Sequence, residues 1–354
     1  MFQILHDINI DWLGNRLWFI GISVLLMLAG LGSAIIRQAT GGQAFNLGVD
    51  FKGGTVVTAR FKQRPSDEQI RAALEEKGIN DAVVQSVRDN QDTALIKVPL
   101  EGEGQDGRAR VREALNKFGQ EAAATVDLNA DPNASYKIVG TDAVGAIAGA
   151  QLRNKAIAVT LAALVGILIY IAFRFEWTYG AAAVIAVFHD VLVTLGFFSI
   201  FQWEISLTVI AALLTLVGFS VNDTIVVFDR IRENRKLHRR DSLYKITNDA
   251  INQTLSRTVI TNGLVFLSVL ALVLFGGDVL RAFSLALFIG VIFGTYSSIA
   301  IASPIMVWWE QRLEAANRQA ALAYNQPLSG PNRGGVRAPA KAAKAANRRA
   351  SAKL

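Results

Sequence analysis

Six long apolar stretches dominate this sequence and restrict what it can fold into. A helix that crosses about 30 Å of hydrocarbon needs about 20 mostly apolar residues. Stretches of this kind lie near Leu17–Ile36, Ala156–Phe173, Tyr179–Phe201, Ile205–Phe228, Val259–Phe275 and Ala282–Trp309. Between the first two lies a region of ordinary soluble composition, residues 37–155. We therefore predict a polytopic α-helical membrane protein with six transmembrane helices and one domain outside the bilayer.

The composition supports this fold class and excludes several kinds of chemistry. Of the 354 residues, 52% are hydrophobic and 18% are charged, whereas soluble domains carry about 45–50% apolar and about 25% charged residues. The sequence contains no cysteine, which excludes thiol catalysis, iron–sulfur clusters and zinc sites built from cysteine. The first apolar stretch is longer than the core of a signal peptide, and no small-residue cleavage site follows it. We interpret it as an anchor that is retained.

The distribution of lysine and arginine predicts the orientation, because short loops rich in them stay in the cytoplasm. Residues 229–258 hold eight such residues and the segment after Trp309 holds nine, whereas residues 202–204 hold none. The region 37–155 carries sixteen basic and sixteen acidic residues, so the net charge of +7 reflects topology and indicates no nucleic-acid partner. The predicted parts are a cytoplasmic N-terminus (1–16), a first transmembrane helix (17–36), an extracytoplasmic domain (37–155), a five-helix bundle (156–309) with a basic cytoplasmic loop (229–258), and a basic, disordered cytoplasmic tail (310–354). Two alternatives stay open for that tail: a solvated basic segment, or one that binds anionic membrane lipid or a cytoplasmic partner.

The extracytoplasmic domain has the element order of a ferredoxin-like α+β fold. Strands are predicted at Thr55–Phe61, Val83–Val87 and Thr93–Val98, with one or two more within 123–139. Helices are predicted from the capping box at Ser66 to Gly78 and over residues 108–118. The domain contains no histidine and no carboxylate pair in a catalytic setting. We therefore expect a binding or lever module and not an enzyme, with no cofactor and no metal.

Ionisable side chains inside the apolar stretches are the candidate functional residues, because each is costly to bury in lipid. His189 and Asp190 lie in the third stretch, Asn222 and Asp223 lie in the fourth, and Arg257 opens the fifth. We predict that Asp223 and Arg257 form a proton-switch pair; the alternative is a permanent salt bridge or an interhelical hydrogen bond that holds the bundle together. Asp190 is a weaker candidate for a proton switch than Asp223, because its carboxylate can pair with His189 or with a group on a neighbouring helix.

Four strings of residues carry a resemblance to a known family. They are Gly48-Val-Asp-Phe-Lys-Gly-Gly-Thr55, Ser220-Val-Asn-Asp-Thr-Ile-Val-Val-Phe-Asp-Arg-Ile-Arg-Glu233, Asn252-Gln-Thr-Leu-Ser-Arg-Thr258 and Gly294-Thr-Tyr-Ser-Ser-Ile-Ala-Ile-Ala-Ser-Pro304. The first contains Asp50, Gly53 and Gly54, and the second contains Asp229 and Arg230. With these strings, the chain resembles the SecD/SecF family, relatives of the proton-driven resistance-nodulation-division transporters. The resemblance covers residues from about 10 to 312.

The resemblance implies a role in protein secretion across the bacterial cytoplasmic membrane. It implies a heterodimer with SecD that joins the SecYEG channel, with YajC and YidC as further candidate partners, and that uses the proton gradient to promote preprotein movement. Asp223 then matches the proton-pathway aspartate of the family and Arg257 its membrane arginine, while Asp190 matches a recurrent position. Two other functions stay open: a proton-driven drug or small-molecule exporter of the same superfamily, and a passive scaffold. The coupling ion, proton or sodium, is also open.

Overall fold

The computed structural model of the chain describes residues 9–79, 82–87, 90–99, 106–174 and 176–325. In this part the helices are α1 (Arg16–Ala39), α2 (Val49–Lys52), α3 (Asp67–Glu76), α4 (Gly107–Leu115), α5 (Ala146–Arg174), α6 (Trp177–Phe201), α7 (Leu207–Leu237), α8 (Leu243–Phe275), α9 (Gly277–Ser297) and α10 (Ser303–Asn325). The strands are β1 (Asn46–Leu47), β2 (Gly54–Phe61), β3 (Val83–Val87), β4 (Asn90–Pro99), β5 (Gln120–Glu121), β6 (Ala134–Val144) and β7 (Glu204–Ile205). A π-helical segment, Ser298–Ala302, joins α9 to α10.

Six apolar helices confirm the predicted class of an α-helical membrane protein. Among the described residues, α1, α5, α6, α7, α8 and the continuous α9–α10 helix are long and apolar enough to cross a membrane. The third predicted stretch differs from α6 by two residues at its start and coincides at its end. The helix that contains the second predicted stretch is α5, which begins at Ala146, shortly after β6 and ten residues earlier than expected.

The predicted loop 229–258 is mostly helical, which corrects the sequence prediction. Helix α7 continues to Leu237 and α8 begins at Leu243, so that only residues 238–242 connect them. No glycine or proline interrupts residues 229–237, and their arginines, lysine and glutamate are good helix formers. Ser242 caps α8 by accepting a hydrogen bond from the backbone N–H of Lys245 (3.3 Å). The boundary predicted from hydropathy therefore marks the end of an apolar segment and not the end of a helix.

The predicted disordered tail also begins later than expected. Helix α10 continues to Asn325, so residues 310–325 are helical. The remainder of the predicted tail, 326–354, and the first half of the predicted N-terminal segment, 1–8, lie outside the described residues. The chain divides into two compact units, Met1–Glu310 and Gln311–Leu354. In the second unit, the described residues form the end of α10.

The membrane helices differ strongly in how much of their surface the chain itself covers. Half of the apolar window of α6 and of α7 is buried, against 11% for α1 and 6% for α5. Helices α6, α7 and α9 contact one another and form the centre of the bundle. Polar side chains within a membrane protein avoid lipid, so α6, α7 and α9 are where such groups can be shielded by protein.

The α+β domain confirms the ferredoxin-like order expected from the sequence. Its sheet has the strand order β3-β4-β2-β6-β5, with β2 antiparallel to both β4 and β6. The fourth strand of the ferredoxin-like set, β6, begins later and runs further than the predicted 123–139 region. Strand β5 is an addition of two residues at the edge, parallel to β6.

Helices α3 and α4 cover one face of this sheet and form its core. Ile70 and Leu74 of α3 and Leu115 of α4 are fully buried against Val57 and Ile96 of the central strands. The capping box predicted at Ser66 is present, with the Ser66 hydroxyl accepting from the backbone N–H of Gln69 (3.2 Å). Helix α2 also contacts strands β2 and β4 of this sheet.

Candidate functional site in the membrane helices

Asp190 lies within α6 and has no solvent-exposed surface. Its Oδ2 atom accepts hydrogen bonds from the hydroxyls of Ser220 on α7 (2.5 Å) and Ser297 on α9 (2.7 Å). Its Oδ1 atom lies 2.9 Å from Nδ1 of His189. A carboxylate buried away from water needs such donors to offset its lost hydration. Asp190 therefore holds three helices together through one polar centre, and it contacts both His189 and its neighbouring helices.

His189 is itself buried, and only one of its ring nitrogens is engaged. Within the described part of the chain, its Nε2 atom has no hydrogen-bond partner. A buried imidazole nitrogen without a partner is unusual. Among the described residues, His189 thus contacts Asp190 through one ring nitrogen and holds the other buried without a hydrogen-bond partner.

Asp223 forms a second polar centre, on α7. The side chain is 4% exposed, and its Oδ2 atom accepts a hydrogen bond from the hydroxyl of Ser298 (2.8 Å). Thr258 and Asn262 of α8 lie beside the same carboxylate. The Asn262 amide donates in turn to the hydroxyl of Thr295 on α9 (2.8 Å). The carboxylate is therefore surrounded by neutral polar groups from α8, α9 and the π-helical segment.

The two carboxylates are connected through consecutive serines where α9 ends and the π-helical segment begins. Ser297 donates to one carboxylate and Ser298 to the other. Ser303 donates to the carbonyl of Ser298 (2.9 Å), and Pro304, which follows it, has no N–H for the helix ladder. Local π-helical turns of this kind are frequent at functional sites. Here the wider turn directs two neighbouring hydroxyls to two different acids.

Each of these serine hydroxyls has one proton and two possible acceptors. Ser298 lies 2.8 Å from the carboxylate of Asp223 and 2.9 Å from the carbonyl of Thr295. Ser297 lies 2.7 Å from Asp190 and 3.2 Å from the carbonyl of Gly294. A protonated carboxyl group is itself a donor. When either acid is protonated, the hydroxyl of its serine therefore donates to the helix carbonyl instead.

The predicted pair of Asp223 and Arg257 is not formed, which corrects the sequence prediction. The described residues contain no ion pair between these two side chains, and Arg257 is exposed. Thr258, the next residue, is 1% exposed and faces inward. Successive residues of a helix point about 100° apart, so the side that brings Thr258 to Asp223 directs Arg257 away from it. Arg257 therefore lies on the exposed side of α8 and not on the side that meets Asp223.

The other candidate residues of α7 lie outside the two polar centres. Asn222 and Asp229 are exposed on the surface of α7. Arg230 donates to the Gln253 amide oxygen (2.7 Å) and pairs with Glu233 (2.6 Å). These contacts join the extensions of α7 and α8 and do not approach either buried acid.

The glycine-rich string after α1 forms a link between the α+β domain and α7, and we call residues 46–54 the linking segment. Gly53 and Gly54 have φ angles of 80° and 153°, which L side chains rarely adopt. They turn the chain from α2 directly into β2. Asp50 accepts a hydrogen bond from the backbone N–H of Leu207 (2.9 Å). The glycine-rich string therefore holds the start of α7, which lies far from it in the sequence.

Sequence reasoning missed the serines that contact the acids. Ser220, Ser297 and Ser298 were seen only as parts of longer strings, with no role assigned. The available signal was two consecutive hydroxyls inside an apolar helix, within two turns of Pro304, which disturbs the hydrogen bonding of the helix. Such a pair predicts polar partners on neighbouring helices, but not which acid each serine contacts.

Comparisons with known proteins agree with this architecture. The family model for the C-terminal region of the protein export membrane proteins SecD and SecF matches residues 124–312, which are more than half of the chain. The model of the SecD/SecF GG motif matches residues 39–63, which contain the linking segment.

Several relatives align with most of the chain. The protein translocase subunit SecF of Koribacter versatilis is 39% identical, covering 87% of this chain and 94% of the relative. The subunit of the same name from Escherichia coli O157:H7 is 40% identical, covering 83% of this chain and 86% of the relative. The crystal structure of SecDF, a translocon-associated membrane protein from Thermus thermophilus, superposes with a TM-score of 0.72 at 37% identity, over 88% of this chain and 40% of that one. The chain belongs to the SecD/SecF family of protein export membrane proteins.

Proposed function

We propose that this chain is an accessory subunit of the Sec protein translocase that acts with SecD and uses the proton gradient to promote preprotein movement. The translocase role is supported by the names of the relatives, which are translocase subunits. The exporter alternative has no comparable support. The proton-driven part is carried by the two buried carboxylates and the serines that connect them.

The hydrogen bonds of these carboxylates suit a proton-dependent change. An ionised Asp223 accepts from Ser298, whereas a protonated one donates, and the hydroxyl then turns to the carbonyl of Thr295. Because Ser297 and Ser298 are consecutive, a change at one acid reaches the helix that holds the other. The buried amide of Asn262 supplies a polar neighbour in either state.

The available energy is sufficient for such a change. One elementary charge that crosses 100 mV releases about 2.3 kcal/mol. A free energy of this size shifts a two-state equilibrium by roughly 50-fold. One or a few protons per cycle therefore bias a conformational equilibrium strongly.

SecD as the membrane partner is supported by an exposed polar face on α7 and α8. Asn222 precedes Asp223, Arg257 precedes Thr258, and the antiparallel course of the two helices puts both preceding residues on one side of the pair. Thr215 of α7 and Thr261 of α8 are exposed as well. Polar and charged side chains are costly in lipid, so this face favours contact with further helices. In the Thermus thermophilus relative, SecD and SecF are one chain, of which this sequence matches 37%.

The orientation and the remaining partners follow from the same proposal. The Lys/Arg distribution favours cytoplasmic termini and an extracytoplasmic α+β domain in the bacterial inner membrane. SecYEG is the channel that the heterodimer joins, with YajC and YidC as further candidate partners. Arg257, on the face assigned to SecD, then meets acidic groups of the partner and not Asp223 of its own chain.

A pulse-chase experiment with a secreted precursor tests the proposal. Asp223→Asn keeps the shape of the side chain and its ability to accept a hydrogen bond, but it removes the titratable proton. We expect precursor maturation to slow by up to roughly 50-fold, the effect of losing one proton across 100 mV. Asp249→Asn, the same change near the start of α8 and away from both polar centres, is the matched control.

Membrane levels of both variants and their co-purification with SecD must equal those of the parent chain. Maturation at the parental rate in Asp223→Asn would reduce the chain to a passive scaffold. In inverted vesicles, stimulation that is lost with a protonophore but kept when potassium replaces sodium identifies the coupling ion as the proton. The reverse result identifies sodium.

A further inference from the structure

The linking segment contacts β7 and the start of α7 at several independent points. Strand β1 pairs in parallel with β7, with Leu47 opposite Ile205. The backbone N–H of Gly48 extends this pairing by donating to the carbonyl of Ile205 (2.8 Å). Strand β7 directly precedes α7, which begins at Leu207. The backbone of the linking segment is thus bonded to the residues that lead into α7.

Asp50 supplies the helix cap that α7 does not make for itself. Ser206 occupies the N-cap position of α7 but makes no side-chain capping bond. The first N–H groups of a helix lack partners within it, and the Asp50 carboxylate accepts from that of Leu207 (2.9 Å). A negative charge also suits the positive end of the helix dipole. Asp50 therefore fastens the linking segment to the first residue of α7.

Phe51 adds an apolar contact at the same place. It is 4% exposed and packs in one cluster with Phe198 of α6 and Val209 of α7. Burial of a phenylalanine side chain favours the packed state by about 1.5–3 kcal/mol. The aromatic ring thus fixes α2 between two of the central membrane helices.

An ion pair connects the sheet itself to the same point. Lys97 of β4 pairs with Glu204 of β7, and both side chains are about four-fifths buried. A Cβ atom on Gly48 would lie 2.6 Å from Oε1 of Glu204. Glycine at this position therefore leaves the space through which Glu204 reaches Lys97. Strand β4 is an inner strand of the sheet, so the pair reaches the body of the α+β domain.

We propose that the linking segment transmits displacement of α7 to the α+β domain, so that this domain and the near end of α7 move as one body. Helix α7 is continuous from Leu207 to Asp223, a distance of about 24 Å at 1.5 Å per residue. It carries Asp223 at one level and is capped by Asp50 at its end. The proposal rests on the proposed function, since a proton-dependent change at Asp223 supplies the displacement. Asp50 and the pair of Lys97 and Glu204 are then positioning residues of the transport cycle.

Charge reversal tests the ion pair in the full-length chain together with SecD. Lys97→Glu and Glu204→Lys each place like charges together, and each is expected to slow precursor maturation by roughly fivefold, the equivalent of about 1 kcal/mol of lost coupling. The double variant restores the pair with the charges exchanged, and the rate is expected to recover. Parental rates in both single variants, or no recovery in the double variant, would overturn the role of this pair.

A covalent link distinguishes joint motion from separation, and the absence of cysteine in the chain makes it straightforward. In the Lys97→Cys, Glu204→Cys variant, a short bifunctional maleimide replaces the ion pair by a permanent connection. We expect slow export before the reagent is added and recovery after it. Each single-cysteine variant treated with the same reagent is the control. Arrest of export by the cross-link would show that the domain must leave α7, which contradicts the proposal.

The yield of the cross-link is a readout that does not depend on export. With joint motion, the yield is equal in energised membranes and in membranes treated with a protonophore. A yield that falls on energisation overturns the proposal even where export is unaffected. Normal export in Asp223→Asn instead removes the proton-driven function and leaves the joint body testable by this yield. Asp50→Ala is expected to slow export with unchanged SecD co-purification, whereas Asp50→Asn, which keeps an acceptor oxygen, retains part of the rate.

Discussion

A single methyl group at Gly30 is expected to detach α1 from the rest of the bundle. Helix α1 packs mainly on α6, and its closest approach is backbone to backbone. A Cβ atom on Gly30 would lie 2.4 Å from the Cα atom of Gly196, whereas ordinary contact begins at 3.4 Å. The Gly30→Ala variant therefore requires the two helices to separate by about 1 Å, since no side chain at the contact can rotate away.

The energetic effect follows from that separation. Overpacking of a fitted interior costs about 1–3 kcal/mol. A gap of about 1 Å also removes up to about half of the dispersion energy of the other atoms along the contact. Because membrane helices are held by packing and not by exclusion of water, little else compensates. We expect a loss of about 2–3 kcal/mol, which shifts the docking equilibrium of α1 by roughly 30- to 150-fold.

A disulfide between α1 and α6 reports this docking directly. The hydroxyls of Ser33 and Ser199 lie 3.3 Å apart, so cysteines at both positions are close to bonding distance. In membranes under mild oxidation, we expect rapid cross-linking in the Ser33→Cys, Ser199→Cys chain and much slower cross-linking after Gly30→Ala is added. Gly32→Ala, two residues along the same helix, is the matched control, because no atom lies within 4 Å of its Cβ position.

We expect Gly30→Ala, but not Gly32→Ala, to weaken the docking of α1 on α6, and the two variants together test this expectation. Equal cross-linking rates and equal thermal stability in Gly30→Ala and Gly32→Ala would refute it. That result would mean that α1 docks through contacts other than its glycine, such as the bond from the Tyr296 hydroxyl to the carbonyl of Phe19 (2.5 Å).

Two further predictions concern a buried phenol and a buried carboxylate. Burial raises the pKa of Tyr136 to about 12. The neutral phenol therefore contributes fully to stability below pH about 10, and this contribution is lost as the pH rises towards 12, by about 1.4 kcal/mol per pH unit. Tyr136→Phe should remove this alkaline dependence, as measured by near-ultraviolet circular dichroism of the full chain in detergent. Glu310 accepts hydrogen bonds from Thr178 (2.6 Å) and Arg235 (3.2 Å), and Glu310→Ala should lower the free energy of unfolding by about 1–3 kcal/mol, whereas Glu113→Ala, at an exposed pair, should change it by less than about 1 kcal/mol. A melting temperature of Glu310→Ala equal to that of Glu113→Ala would contradict the second expectation.

The class of fold was predictable because its signals are local. An apolar run of sufficient length defines a span by itself, and the serine at 66 followed by glutamine at 69 defines a helix start. The alternation in Thr55–Phe61 likewise predicts a strand with one buried face. These signals act within a few residues, so they need no knowledge of distant partners.

The candidate site was predictable only in part, because its partners are distant in sequence. The sequence singled out Asp190 and Asp223 as candidates because acids are costly in a membrane span, and both side chains are buried. It did not indicate that the serines at 297 and 298 contact them, because these contacts join residues more than 70 positions apart. The direction of Arg257 was missed because one residue changes the face of a helix by about 100°. Strand β7, with two residues, is too short to show any periodicity.

The close packing of α1 on α6 also bears on the order in which the chain assembles during synthesis. About 140 residues separate the end of α1 from the start of α6, which a ribosome adds in roughly 7–28 s at about 5–20 residues per second. During that time α1 is without its main packing partner, and its mean hydropathy of 2.4 with little buried surface suits residence in lipid. Its two buried residues, Ser23 and Gly30, are small and offer little to a wrong partner. Helix α1 therefore reaches its main packing partner only after a long interval of synthesis.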